Sequence, residues 1–426
     1  MALVFGGGSL QGRWSDAIVQ LASLPLLVLV LLNLSQMRVP RGPILLIGLL
    51  VALPLLQLIP LPPGLWTALP GRENEIQVYS ALGQPLPWLP ISLSPIMTWR
   101  SALSLLPVVA ISLGMLCLSA LWRRILVVMF LAFVFFSVFV DLTQMVQGTD
   151  SALRFYSAGD RAVGFFANSN HNAALLYSAI PFAAAFGIGF HRQSLSVLLV
   201  LVLLGAIIVG LAIAQSRAGL ILCAVAGISC FGLVLLNSSG SSRRRLIIAA
   251  VAGNLIALLI VFQVGFVSLT QRMESADVVS DSRWPVASLT WNLIEANLPL
   301  GTGFGTFVPV YQAAEPRTFL FDRFMNRAHN DWLEIALEGG VLSIAGLLIF
   351  LVWFVRASLK AWRAPAGADP LDAGLARASS IVVLLLMLHS AVDYPLRTTA
   401  MMVVFCFACA LLVLPRQAPA GAVSRG

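Results

Sequence analysis

Apolar residues run in long blocks along most of the chain, and polar residues collect in short breaks between them. A helix needs about 20 mostly apolar residues to cross the roughly 30 Å hydrocarbon core of a bilayer. Eleven blocks approach that length, at 17–34, 43–60, 101–121, 125–146, 172–190, 195–214, 218–236, 246–267, 339–356, 377–392 and 398–415. Each is expected to form a membrane helix. Pro54 and Pro181 fall inside blocks, which membrane helices tolerate when neighbours satisfy the freed backbone groups. Two breaks are long, 61–100 and 268–338. The pattern therefore predicts an all-α polytopic membrane protein of about eleven spans, one membrane domain over residues 1–426 with 268–338 as its large loop. Inside that loop, Trp284 to Leu298 predicts an amphipathic helix lying on the membrane surface.

Composition supports this reading. Of 426 residues, 59% are hydrophobic and 10% charged, against roughly a quarter charged in a soluble domain. Arg13 precedes the first block without a small-residue cleavage site after it, so that block is expected to remain as a helix rather than leave as a signal peptide. The net charge of +8 does not imply nucleic acid as a partner, because the basic residues sit in short breaks between apolar blocks instead of on one face of a domain. The five cysteines all lie within apolar blocks, and the Cys406–Cys409 pair reads as helix packing rather than as a metal or redox motif.

Charge gives the blocks a direction. Taking alternate breaks from 35–42 onwards, one set holds fourteen basic residues against Asp369 and Asp372, a net of +12. The other set holds eleven arginines and fourteen acids, a net of −3. Positive loops stay in the cytoplasm, which puts both long breaks outside and the C-terminus inside. The outer set then contains His171, His329 and His389 together with Arg161, Arg217, Arg283, Arg327 and Arg397. Topology does not call for arginines there. They need a carboxylate, for which Glu334, Glu338, Asp331 and Asp393 are available, or a bound anion, and phosphate suits the planar guanidinium fork.

Four stretches carry the candidate chemistry. Asp160 to Asn172 is dense in donors and acceptors (Asn168, Ser169, Asn170), well suited to cap the helix that follows. Gln215-Ser216-Arg217-Ala218-Gly219 separates two blocks with almost no loop, which pins Arg217 near membrane depth. Arg327 to Gly340 (RAHNDWLEIALEGG) would, as a helix, place Glu334 and Glu338 on one face and His329 with Leu333 on another. There His329 is either a base for a hydroxyl or an interfacial capping residue. No second histidine stands four residues on, so the stretch is not a zinc motif. His389 to Arg397 is a polar break between the last two blocks. Gly301 to Gly305 reads as a tight turn, since no strand precedes it to make a phosphate loop.

Taken together, R-x-x-G-F-F-x-N-x-N at 161–170, S-R-A-G at 216–219, N-x-P-L-G-T-G-F-G-T-F at 297–307, H-N-D-W-L-E-x-x-L-E-G-G at 329–340 and H-S-x-x-D-Y-P-L-R at 389–397 resemble the O-antigen ligase and polymerase family of bacterial membrane proteins. The similarity covers about residues 60–415, and H-N-D-W-L-E is its most specific part. The resemblance implies a GT-C-like glycosyltransferase with about twelve spans. It implies a bacterial inner-membrane location, a site facing the periplasm, and transfer of a glycan from undecaprenyl diphosphate to the hydroxyl of lipid A core or of a growing polysaccharide. Transfer would be inverting, with no cofactor and no metal. By the same resemblance His329, Arg217 and Arg161 are the expected catalytic residues. Arg283, Arg327, Asn168, Asn170, Glu334, His389 and Arg397 are the expected substrate-binding set. The alternative is a transporter of a small anion such as bicarbonate, which would place charge near the bilayer midplane and show discontinuous helices in paired halves.

Overall fold

The computed structural model describes residues 1–9, 12–33, 40–156, 161–190, 194–237, 283–316, 325–363 and 367–414, with positions 244, 248, 251 and 259 singly. Sixteen α-helices of four residues or more are found among them. They are α1 (Ala2–Phe5), α2 (Trp14–Asn33), α3 (Arg41–Leu56), α4 (Pro63–Trp66), α5 (Glu73–Ala81), α6 (Pro95–Ser104), α7 (Leu106–Cys117), α8 (Ala120–Gln147), α9 (Ser169–Gly189), α10 (Ser194–Ala214), α11 (Arg217–Asn237), α12 (Arg283–Asn297), α13 (Phe307–Ala314), α14 (Asp331–Arg363), α15 (Pro370–Ser390) and α16 (Thr399–Leu412). The described strands are one two-residue antiparallel pair, Pro60–Leu61 with Leu89–Pro90. Seven helical stretches are long and apolar enough to span a bilayer, and α3, the start of α11 and α16 are shorter apolar helices. The chain is an all-α polytopic membrane protein. The expected block at 246–267 lies outside the described residues.

Burial separates central from peripheral spans. About three quarters of α9 (72%) and α15 (78%) is buried, against 11% of α2 and 28% of α10. Both central helices are rich in small buried residues, Ala173, Ala174, Ala183 and Ala185 on α9 and Ala376, Ala378 and Ser379 on α15. Small side chains let backbones approach in a medium where lipid gives no hydrophobic drive for helix association. Around them α8, α10, α11 and α16 pack into one large core. A second, smaller core joins α12, α13 and the start of α14 through Val286, Ile294, Phe307, Tyr311 and Leu337. The helix expected at 284–298 is α12, with Trp284 and Trp291 exposed and Val286 and Ile294 buried.

Two elements differ from the pattern. The block expected at 101–121 begins earlier and is split into α6 and α7, with Pro107 in the first turn of α7. Proline is at ease there because the missing N–H has no helical partner to lose. The block expected at 339–356 is a helix that starts at Asp331 and breaks its helical dihedrals at Gly340 (φ 57°, ψ −150°). The glycine turn explains how this break is tolerated. Val341 donates its N–H to the Pro299 carbonyl (2.8 Å), while Thr302 and Gly303 donate to the carbonyls of Leu337 and Glu338 (3.0 and 2.9 Å). The backbone groups freed by the kink are thus satisfied by an adjoining loop. That loop comes so close that a Cβ on Gly301 would stand 2.6 Å from the Gly340 nitrogen.

Candidate active site

The first turn of α14 is set by Asn330, whose Oδ1 accepts the N–H groups of Trp332 (3.0 Å) and Leu333 (3.2 Å). This cap leaves His329 ahead of the helix, in the left-handed region at φ 52°. His329 therefore does not share a helix face with Leu333, as the pattern alone suggested. Its Nδ1 lies 3.2 Å from Oδ1 of Asp393, and 27% of its side chain is exposed while Asp393 is fully buried. Burial by itself would raise the Asp393 carboxyl. The hydrogen bond from His329 and the fields of His171, His389 and His329 outweigh it and hold that carboxyl well below the usual carboxylate range. Asp393 is thus an anion across physiological pH, and an anion there favours the His329 tautomer with Nδ1 protonated and Nε2 free.

From Asp393 the contacts run on to two other motifs. Asn170 Nδ2 donates to Asp393 Oδ2 (2.6 Å), and Ser216 Oγ donates to Asn170 Oδ1 (2.7 Å). Ser216 in turn accepts the Gly219 N–H (3.0 Å), capping α11, whose first residue is Arg217. Asn168 caps α9 by accepting the Asn170 N–H (2.9 Å). One continuous chain of hydrogen bonds therefore joins the stretches at 160–172, 215–219, 327–340 and 389–397, which are far apart in sequence. Arg217 is exposed at its edge.

The remaining arginines divide. Arg397 reaches Glu338 Oε2 (2.6 Å), Asp331 Oδ1 (3.4 Å) and Glu334 Oε2 (3.4 Å), and Arg327 reaches Glu334 Oε2 (3.3 Å). Glu334 and Glu338 do share a face, and it is the face turned to Arg397. All three carboxylates are fully buried. Asp331 also accepts from Ser390 Oγ (2.8 Å) and the Leu396 N–H (3.2 Å), and Glu334 from the Ala328 N–H (2.8 Å). For Arg327 and Arg397 the structure thus supplies the carboxylate partners that the sequence left open beside a bound anion. Arg161 has an exposed side chain and takes no part in the chain of hydrogen bonds above. Arg283 begins α12, but its side chain lies outside the described residues. His389 is buried on α15, its Nδ1 2.8 Å from the Tyr177 hydroxyl.

Two residues of the site went unread in the sequence. Tyr394 stands edge-on between His171 and His329, with ring centroids 4.8 and 5.0 Å away. Burial first and Asp393 second raise its hydroxyl above the ordinary tyrosine value, so it stays protonated. Its place beside Asp393 in a polar break was the available signal. Asp141 lies within an apolar block, where an acid is costly without a partner. It accepts from Asn172 Nδ2 (2.8 Å) behind the N-terminus of α9. Gln144, one turn on, receives the N–H groups of Val163 and Gly164 (2.9 and 3.0 Å) and so anchors the segment that follows Arg161.

No curated protein matches the chain. Residues 200–351 match the family model described as O-antigen ligase, a span that includes α11 to α13, Arg217, His329 and the three carboxylates of α14. Over residues 200–351, about a third of the chain, this polytopic protein is therefore similar to the O-antigen ligase family.

Proposed function

We propose that the protein transfers a glycan from undecaprenyl diphosphate to an acceptor hydroxyl, at the end of the bundle where His329 stands, and that this end faces the periplasm of a bacterial inner membrane. The observation that carries the reading is the His329–Asp393 contact (3.2 Å) and its continuation through Asn170 and Ser216 to the helix that begins with Arg217. A base and a cation are thereby held on one rigid frame. Inverting transfer needs such a pair on opposite sides of the anomeric carbon. The acceptor oxygen forms its bond to that carbon and gives its proton to His329 Nε2. The bond from the carbon to the diphosphate oxygen breaks, its electron pair leaves with the diphosphate, and Arg217 with Arg161 stabilises the charge that appears there. Arg327, Arg397 and Glu334 act by fixing the loop that carries His329, because their charges are already paired with one another.

The test compares glycan transfer and lipid-diphosphate binding in detergent for three variants. His329→Ala should lose about 10²–10⁴-fold in rate with donor binding retained. Arg217→Ala should weaken donor binding as well, and Arg217→Lys should recover little, since an ammonium lacks the two-pronged fork. Normal donor binding by Arg217→Ala together with poor binding by His329→Ala would reverse the assigned roles, and full transfer by all three would remove the site.

A further inference from the structure

A cavity of about 430 Å³ opens between α2, α3, α6, α7, α14 and α16. For most of its depth the wall is apolar, formed by side chains such as Leu46, Leu50, Leu347, Met402 and Phe405. The charged residues of the lining are Arg13 and Asp16 at the start of α2, Arg100 on α6, Asp331 at the start of α14 and Arg397 just before α16. The lining runs from Pro54 to Pro43 along α3 and from Thr399 to Ala410 along α16. At about 1.5 Å per residue each stretch is roughly 16 Å long, about half of the roughly 30 Å hydrocarbon core. Along these two helices the wall is thus about as long as one leaflet is thick.

The charged part of the lining is suited to an anion. Arg13 and Arg100 are both exposed, and neither forms a salt bridge among the described residues. Arg100 donates only weakly, to the Met97 sulfur at 3.8 Å, and the Arg13 guanidinium lies 5.6 Å over the Tyr156 ring. Asp16 accepts the Arg13 backbone N–H (3.3 Å), and its carboxyl also feels the Arg13 charge. Two arginines beside an apolar wall of leaflet length complement a phosphate group carried on acyl chains. The same wall contains Trp332 and Ile335 from the first turns of α14, directly after His329.

We propose that this cavity anchors the acceptor, a phosphate-bearing acyl lipid of the adjoining leaflet, with its phosphate at Arg13 and Arg100, its chains between α3, α14 and α16, and its glycan presented to His329. The inference rests on the transferase reading above and assigns acceptor and donor to separate places, since the donor diphosphate belongs to Arg217 and Arg161. The test uses the full chain in zwitterionic nanodiscs and three probes: lipid A as a phosphorylated acyl glycolipid, undecaprenyl diphosphate, and uncharged diacylglycerol. Arg100→Glu reverses the charge at the mouth, and Leu50→Trp fills the apolar wall. Each should weaken lipid A binding more than about tenfold, the loss expected for a charge-assisted contact or a blocked pocket, while undecaprenyl diphosphate binds as in the parent. Loss of undecaprenyl diphosphate binding instead would give the cavity to the donor. Unchanged lipid A binding in both variants, or competition by diacylglycerol as effective as that by lipid A, would make it an ordinary lipid seam. If Leu50→Trp does not fold, Arg100→Glu, at an exposed position, decides alone. Failure of the transferase reading shows separately, as transfer that survives His329→Ala.

Discussion

At the scale of residues, the left-handed backbone of His329 (φ 52°) is an unusual choice for a residue with a Cβ, with a cost of order 1–3 kcal/mol. It lets Asn330 cap α14 while the imidazole turns to Asp393. Asp393 is the more telling partner, because its carboxylate holds the histidine orientation from a fully buried position. Asp393→Asn should therefore reduce transfer by roughly 10²-fold or more, through loss of the productive tautomer. Its effect on stability has a definite sign with pH. The folded carboxyl is held below its unfolded value, so the stabilisation is fully present above the unfolded value of about 3.9 and is lost only as pH falls through the folded one. The stability gap between parent and Asp393→Asn should be flat from about pH 8 to 5 and narrow below about pH 4. Unfolding midpoints across that range measure it, and a gap that widens on acidification would show that Asp393 is not held as an anion. His329 was legible in the sequence as a candidate base. Its pairing with Asp393 was not, because the two stand 64 positions apart and only packing of α14 against α15 brings them together.

At the scale of elements, the break in α14 is the main device. The segment from Asp331 to Gly339 aims three carboxylates at Arg397 and Arg327, and the helix beyond Gly340 runs on as a span. Gly340 combines a backbone that favours glycine (φ 57°) with contact against the Pro299 carbonyl and Leu300. Gly340→Ala should accordingly cost more than about 2 kcal/mol, from backbone strain and the forced separation of the 299–303 loop. A lowered unfolding midpoint in detergent, accompanied by reduced transfer, is the expected result; an alanine variant as stable and as active as the parent would mean the close approach is dispensable. Hydrophobic patterning found the spanning part of α14 but started it at 339, since the Asp331 to Glu338 turns carry buried acids that read as a loop. Their neutralising partners come from Arg397, on another element.

At the scale of the whole molecule, the charge asymmetry of the breaks makes a topology prediction. Reporter fusions after residues 90, 155 and 310 should report periplasm, and fusions after 243 and 366 should report cytoplasm. A cytoplasmic signal at 310 would put His329 on the wrong side for a periplasmic donor and would sink the proposed site. The structure adds a further reason for some of the basic residues expected in the cytoplasm. Arg124 at the start of α8 pairs with Asp369 and Asp372 beside α15 (2.7 Å each), and Arg123 donates to the Val413 carbonyl (2.6 Å). These arginines tie helix ends together.

The sequence by itself determined the solvent, the helical class and the candidate chemistry. Runs of apolar residues near the length of a bilayer admit only helices, because lipid offers the backbone no hydrogen-bond partner. The motifs around Asn168, Arg217, His329 and His389 were visible as polar interruptions that such runs do not otherwise contain. What tertiary structure alone decided is which polar groups answer one another. Arg397 and Arg161 look alike in sequence, each an arginine in a polar break, yet the first is enclosed by Asp331, Glu334 and Glu338 and the second is exposed. The reason is physical: a buried charge is stable only beside its counter-charge. Whether one is present depends on helix packing between distant segments, which periodicity along a single chain does not encode.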